Sequence, residues 1–159
     1  GFEFVLAYKH NTQIHRDIVL TEVDLANLIR AKAALYGGCK VLLESVDLSF
    51  QDIERIIIAG GFGHYIDIEK AQTIGLLPEL PLERFIFVGN GSLLGTRLFS
   101  FSRKFMKEAE DISRMMTNIE LSNSQKFMDE FVAASFLPHT DNKAFPKVLN
   151  KLNTYNRLP

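Results

Sequence analysis

Arg55-Ile56-Ile57-Ile58-Ala59-Gly60-Gly61-Phe62-Gly63 decides how this chain folds. Three successive β-branched residues read as a buried strand, and the glycines beyond it let the backbone turn sharply. Glycine also admits a ligand to the backbone, because no Cβ stands in the way. A helical segment, Asp67 to Ile74, follows. Strand, glycine turn and helix is the arrangement by which many α/β proteins offer backbone N–H groups to a nucleotide or another anion. The pattern recurs in Phe85-Ile86-Phe87-Val88-Gly89-Asn90-Gly91-Ser92, ahead of an apolar helical run. Two such turns predict a ligand-binding edge.

Working outward, residues 2–8 alternate as a strand does, and Asn11 to Asp17 is polar, a loop or short edge strand. Thr21 is placed to cap a helix whose first turn carries Glu22 and Asp24, which the helix dipole favours. Leu25, Leu28, Ile29, Ala33, Leu35, Leu42 and Leu43 continue its apolar spacing to about Val46. Gly37 and Gly38 lie inside that pattern at a cost of about 1 kcal/mol each relative to alanine, which predicts a kink or a close neighbour. Ser49 is expected to cap a single turn through Asp52, and Ser92 a helix to about Phe101. Further helices are predicted from Arg103 to Met116 and, capped by Ser124, from Gln125 to Ala134, the latter with Phe127, Met128, Phe131 and Val132 on one face. Ile119 to Ser122 is a short strand candidate, with Glu120 pairing across a sheet edge. Phe136-Leu137-Pro138 ends the last of these helices, so the main domain is expected to span 1–138, with 139–159 a surface helix (Phe145 to Leu152) and a frayed tail. Strands alternating with helices argue an α/β fold.

Composition narrows the functional classes. The chain has 159 residues, 47% hydrophobic and 23% charged, the balance of an ordinary globular domain. A net charge of −1 gives no bulk electrostatic reason to expect nucleic acid or a membrane surface as partner. No apolar run approaches the roughly 20 residues that span a bilayer, and no signal peptide is visible. Cys39, the single cysteine, cannot form an internal disulfide or hold an iron–sulfur cluster alone, so a reducing, cytoplasmic setting is expected. On its apolar helix it reads as a small buried hydrophobe. His10, His15, His64 and His139 show no metal-ligand spacing. No Ser/His/Asp arrangement, paired-carboxylate spacing or P-loop supports independent catalysis. The chain begins directly in a strand pattern without Met, and few strands are visible, so it is expected to be a piece of a longer protein lacking half of its binding site.

The ordered series Asp17-Ile18, Arg30-Ala-Lys-Ala-Ala34, Ile57-Ile-Ala-Gly-Gly-Phe-Gly63, Ile74-Gly-Leu-Leu-Pro78, Val88-Gly-Asn-Gly-Ser92 and Ile119-Glu-Leu-Ser122 resembles the C-terminal region of ATP-dependent reductive activators of corrinoid proteins. These belong to the actin-like ATPase superfamily, with sugar and acetate kinases and heat-shock chaperones. The resemblance implies a ribonuclease-H-like α/β lobe, a mixed sheet flanked by helices, with ATP in the cleft between this lobe and one upstream. It implies that Gly60, Gly61, Phe62 and Gly63 form the adenosine turn and that Gly89, Asn90 and Gly91 line the same cleft. Lys32 stands in a helix similar to one that supports adenine and ribose, although Ile29 and Ala33 replace charged residues there. Mg²⁺ and the ATP phosphates would be completed by the upstream lobe. An iron–sulfur cluster elsewhere in the parent would supply the electron that returns a corrinoid methyl carrier, the partner protein, from Co(II) to Co(I). Bland readings stand beside these: Phe62 as core, Lys32 as a solvated helix residue, Asn90 as a plain turn, Asp17 as a local cap rather than a contact to metal-bound water. A docking module for the corrinoid protein, a sugar or acyl kinase lobe, and a dehydratase activator are the functional alternatives.

Overall fold

The computed structural model describes residues 1–61 and 63–155, with the backbone alone at 64 and 155. Among the described residues, four strands and six α-helices follow in this order: β1 (Glu3–Ala7), β2 (Ile18–Thr21), α1 (Glu22–Glu44), β3 (Ile56–Ala59), α2 (Ile68–Thr73), β4 (Phe85–Gly89), α3 (Gly91–Phe101), α4 (Arg103–Met115), α5 (Gln125–Ala133) and α6 (Pro146–Tyr155). The two strand orientations of a mixed sheet are both present, as separate ladders. β1 and β2 pair antiparallel, Phe4 opposite Leu20, with an irregularity between Val5 and Ala7. β3 and β4 pair parallel, Ile57 opposite Ile86. β2 follows the polar segment 11–17 and runs directly into α1; its four residues are too few to show a period. Ile119 to Ser122 is not a strand, because it has no neighbouring strand to pair with, and the Glu120 carboxylate accepts locally from Ser122 N–H and Oγ.

The helix starts follow from short polar side chains. Thr21 and Asp24 form a reciprocal capping box at α1, and Ser49 with Asp52 does the same for the single turn Phe50–Asp52. Asp67 accepts from Lys70 N–H to open α2, and Ser124 accepts from Phe127 N–H to open α5. Gly37 and Gly38 do not break α1. They let α5 approach, since a Cβ at Gly37 would stand 3.4 Å from Phe131 N and one at Gly38 3.5 Å from Leu121 Cδ1. On α5, Phe127 and Phe131 turn inward while Met128 and Val132 stay exposed. The four lie on one broad side of α5, but α1 covers only the Phe127–Phe131 part of it.

One core cluster joins Ala33 and Tyr36 of α1 to Ala134, Phe145 and Val148. The segment that carries Phe145 and Val148 is therefore part of the core, with Phe145 fully buried and its ring centroid 5.5 Å from Tyr36, while the expected frayed end at 156–159 lies outside the described residues. The modest helical signal of 145–152 hides this because the partners are distant in sequence. Glu79 fixes the same helix from the far side, its carboxylate accepting from Lys147 N–H (3.0 Å) and Val148 N–H (2.9 Å) at the α6 N-terminus, where a negative charge is favoured. A second cluster, Ala71, Leu77, Leu80 and Phe85 with Ile56 and Ile58 against it, sits under one face of β3–β4. Cys39 departs from expectation; it lies on an exposed side of α1.

A buried polar network links α1 to the tail. Glu130 receives Lys40 Nζ at 2.7 Å on one oxygen and His139 Nε2 at 2.8 Å on the other. His139 Nδ1 accepts from Asp141 N–H at 2.9 Å, which puts the ring proton on Nε2 and makes it the donor to Glu130. Burial alone would raise the Glu130 carboxyl, yet the bonds from His139 and Lys40 hold it below its ordinary range.

Two stability measurements check this core. Phe145→Ala is expected to cost about 3–5 kcal/mol by urea denaturation, while Phe101→Ala, at a site 78% exposed, costs less than about 1 kcal/mol. Equal, small effects would return the tail to the surface. Because the Glu130 pKa is lowered on folding, its stabilisation is complete above the ordinary value of 4.5 and is lost as pH falls through the folded value. The stability gap between wild type and Glu130→Gln, about 2 kcal/mol at pH 7, is thus expected to narrow below pH 4.5. A gap that widens in acid would contradict the network.

Candidate functional site: the paired glycine turns

Parallel strands end at the same edge, and the two glycine turns meet there. The Gly60 N–H donates to Gly89 O at 2.6 Å, fastening the turn after β3 to the turn after β4. Both residues need the left-handed backbone that glycine adopts without strain, with φ of +101° at Gly60 and +64° at Gly89. Space around them differs in a way that matters for a ligand. Among the described residues, a Cβ built at Gly60, Gly61 or Gly89 would meet no atom within 4 Å, so they leave the backbone open on that side. At Gly63 a Cβ would collide with Ile58 Cγ2 at 2.5 Å, so this glycine is required by packing against the strand. Gly91 is intermediate, 3.4 Å from Ala59 Cβ, and lets the start of α3 rest on the end of β3.

Asn90, not Ser92, caps α3. Its Oδ1 accepts from Leu93 N–H at 3.0 Å, and the helix begins at Gly91. Of the residues expected at the site, Gly60, Gly61, Gly63, Gly89, Asn90 and Gly91 are thus brought together. Phe62 lies outside the described residues, as does the side chain of His64.

Lys32 has a different occupation. It is fully buried, and its Nζ donates to Phe136 O and Pro138 O, each at 2.6 Å. Burial pulls its pKa down to about 8. Two N–H donors remain on the neutral amine, enough for both carbonyls, so the tie holds in either protonation state. Gly75 makes room beside it: φ there is +75°, and a Cβ would overlap Pro138 O and stand 3.0 Å from Lys32 Nζ. The sequence carries no sign of this, because a lysine's burial is decided by carbonyls more than a hundred positions away, 104 for Phe136. Asp17 acts as a cap, accepting from Lys9 N–H. Among the described residues no group of three or more His, Cys, Asp or Glu is placed to hold a metal ion.

A mixed α/β fold with two glycine turns stitched together at the ends of parallel strands defines the class of the chain. Residues 1–149 match the family described as the C-terminal domain of RACo, the ASKHA domain, and the chain belongs to that family, with its actin-like ATPase fold. A solved structure described as a reductive activator for corrinoid, iron–sulfur protein superposes with a TM-score of 0.84 at 53% identity, covering 91% of this chain and 23% of that one. The corrinoid activation enzyme RamQ of Eubacterium limosum is 38% identical over 117 residues, 74% of this chain and 20% of the relative. The [Co(II) methylated amine-specific corrinoid protein] reductase of Methanosarcina barkeri is 23% identical over 112 residues, 69% of this chain and 21% of the relative. The chain therefore spans about a fifth of the length of the relatives it matches.

Lys32→Met tests the division between ligand edge and internal tie. It is expected to lower stability by about 2–4 kcal/mol, because two carbonyls lose their donor, and to leave nucleotide affinity of the folded protein within about twofold. A variant of normal stability with weakened nucleotide binding would return Lys32 to the cleft.

Proposed function

We propose that this chain is the nucleotide-binding C-terminal lobe of an ATP-dependent reductive activator, one that returns a corrinoid methyl-carrier protein from Co(II) to Co(I). The observation that carries the reading is the open backbone at Gly60 and Gly61, held against the second glycine turn by the Gly60–Gly89 hydrogen bond. A nucleoside fits such an edge because no described residue occupies the space where a Cβ would stand at Gly60 or Gly61. Gly60 and Gly61 would hold the adenosine end of ATP, with Gly89, Asn90 and Gly91 bounding the same cleft; Gly63 supports the turn from beneath. Bound there, ATP supplies the free energy that biases lobe closure, to the extent that it prefers one arrangement over the other.

Other parts of the machinery are assigned elsewhere in the parent. Mg²⁺ and the phosphates fall to an upstream lobe, and the electron to an iron–sulfur domain, which one cysteine here cannot hold. Uncovered apolar surface supports an upstream partner lobe. Ile57 is 64% exposed on the open face of β3–β4, whereas parallel sheets are normally covered on both faces. An apolar groove of about 560 Å³ between α1 and β3, lined by Leu35, Cys39, Leu42, Ile53 and Ile57, is open as well. No described helix is long and apolar enough to cross a membrane. A cytoplasmic setting belongs to the same reading. Docking of the corrinoid protein is favoured by α3 and α4, where Leu94, Phe101, Phe105, Ile112 and Met115 are all exposed.

Calorimetric titration of Mg-ATP into the full-length protein and its Gly61→Val variant tests the site. A Cβ at Gly61 meets no described atom within 4 Å, so thermal stability should hold while affinity falls at least about tenfold. Equal affinity in the two proteins would remove the nucleotide from this turn.

A further inference from the structure

The second glycine turn is bonded in two directions. Gly89 O accepts from Gly60 N–H at 2.6 Å, and one residue later Asn90 Oδ1 accepts from Leu93 N–H at 3.0 Å and caps α3. Gly91 sets the start of α3 against Ala59, the last residue of β3. Beyond that start the helix has little else to hold it. Neither α3 nor α4 contains a buried residue, and α3 packs chiefly on α4. The α3–α4 hairpin is therefore fixed to the β3–β4 ladder mainly through its first turn, and that turn hangs on the asparagine cap. An end held by one cap is where local opening is cheapest.

We propose that Asn90 is a positioning residue that couples occupancy of the glycine turns to the order of the α3–α4 hairpin. The proposal rests on the nucleotide reading above and adds its regulation. A ligand that settles the Gly60–Gly61 backbone also settles Gly89 through the hydrogen bond between them. Asn90, next in the chain, passes that order to the amides of the first turn of α3. By linkage, whatever fixes the hairpin tightens the nucleotide by the same factor, so the exposed apolar stripe of Leu94, Phe101, Phe105 and Ile112 becomes a surface whose order reports the nucleotide.

Hydrogen exchange on the full-length protein, with and without Mg-ATP, tests this in wild type, Asn90→Ala and Asn90→Ser, with calorimetry confirming saturation of each. Serine keeps an acceptor at the cap and alanine does not. Nucleotide is expected to slow exchange across α3 and α4 by about fivefold in wild type and Asn90→Ser, and by less than about twofold in Asn90→Ala that still binds it. A purely local cap would speed exchange in Asn90→Ala equally in both states and keep the nucleotide effect intact, which would overturn the proposal. Wild type that binds nucleotide without any change in α3 and α4 would overturn it too, while leaving the nucleotide reading standing. Wild type that binds no nucleotide would overturn both.

Discussion

The hydrogen bond from Gly60 N–H to Gly89 O is the constraint on which the rest of the site depends. It exists because β3 and β4 run parallel and end together, so two separate glycine segments are delivered to one edge. It also explains the division of labour among the glycines. Gly60 and Gly89 supply left-handed backbone, Gly61 supplies open space, and Gly63 and Gly91 supply close packing. A side chain would strain the backbone at Gly60 and Gly89 and collide with Ile58 at Gly63, whereas at Gly61 it would only fill the open space, so the run is more than a flexible loop.

The remainder of the described fold keeps that edge in place by burying polar side chains against backbone. Lys32 draws the Phe136–Pro138 segment onto α1, and Gln72 Nε2 donates to Pro78 O and Leu80 O beneath β4. Glu130 joins Lys40 to His139, and Glu79 holds the start of α6. Each of these is costly to leave half-made in a buried setting. Against this tied interior stand faces with no cover at all, Phe2 and Phe4 on β1, Ile57 on β3 and most of the α3–α4 hairpin. These uncovered faces accord with the partner lobe proposed above.

Much of the architecture was legible in the chain because it is decided locally. Thr21, Ser49 and Ser124 announce helix starts through the residues three positions on, and β3 and β4 announce themselves by β-branched and aromatic runs ended by glycine. What escaped was decided at a distance. Phe145 is core because Tyr36 and Ala33 reach it, Lys32 is buried because Phe136 and Pro138 need a donor, and Cys39 faces outward because the inner side of α1 belongs to Tyr36 and Gly37. Asn90 shows the limit even at short range: asparagine and serine both cap helices, and Asn90 rather than Ser92 accepts from the first turn of α3. The candidate glycines were readable one by one; their joining by a single hydrogen bond was not.

A structure of the full-length protein with Mg²⁺ and a non-hydrolysable ATP analogue tests the central claim most directly. The account predicts the nucleoside in van der Waals contact with the Gly60–Gly61 backbone, with the Gly89–Gly91 turn at the border of the same cleft. A nucleoside bound away from both turns would contradict it.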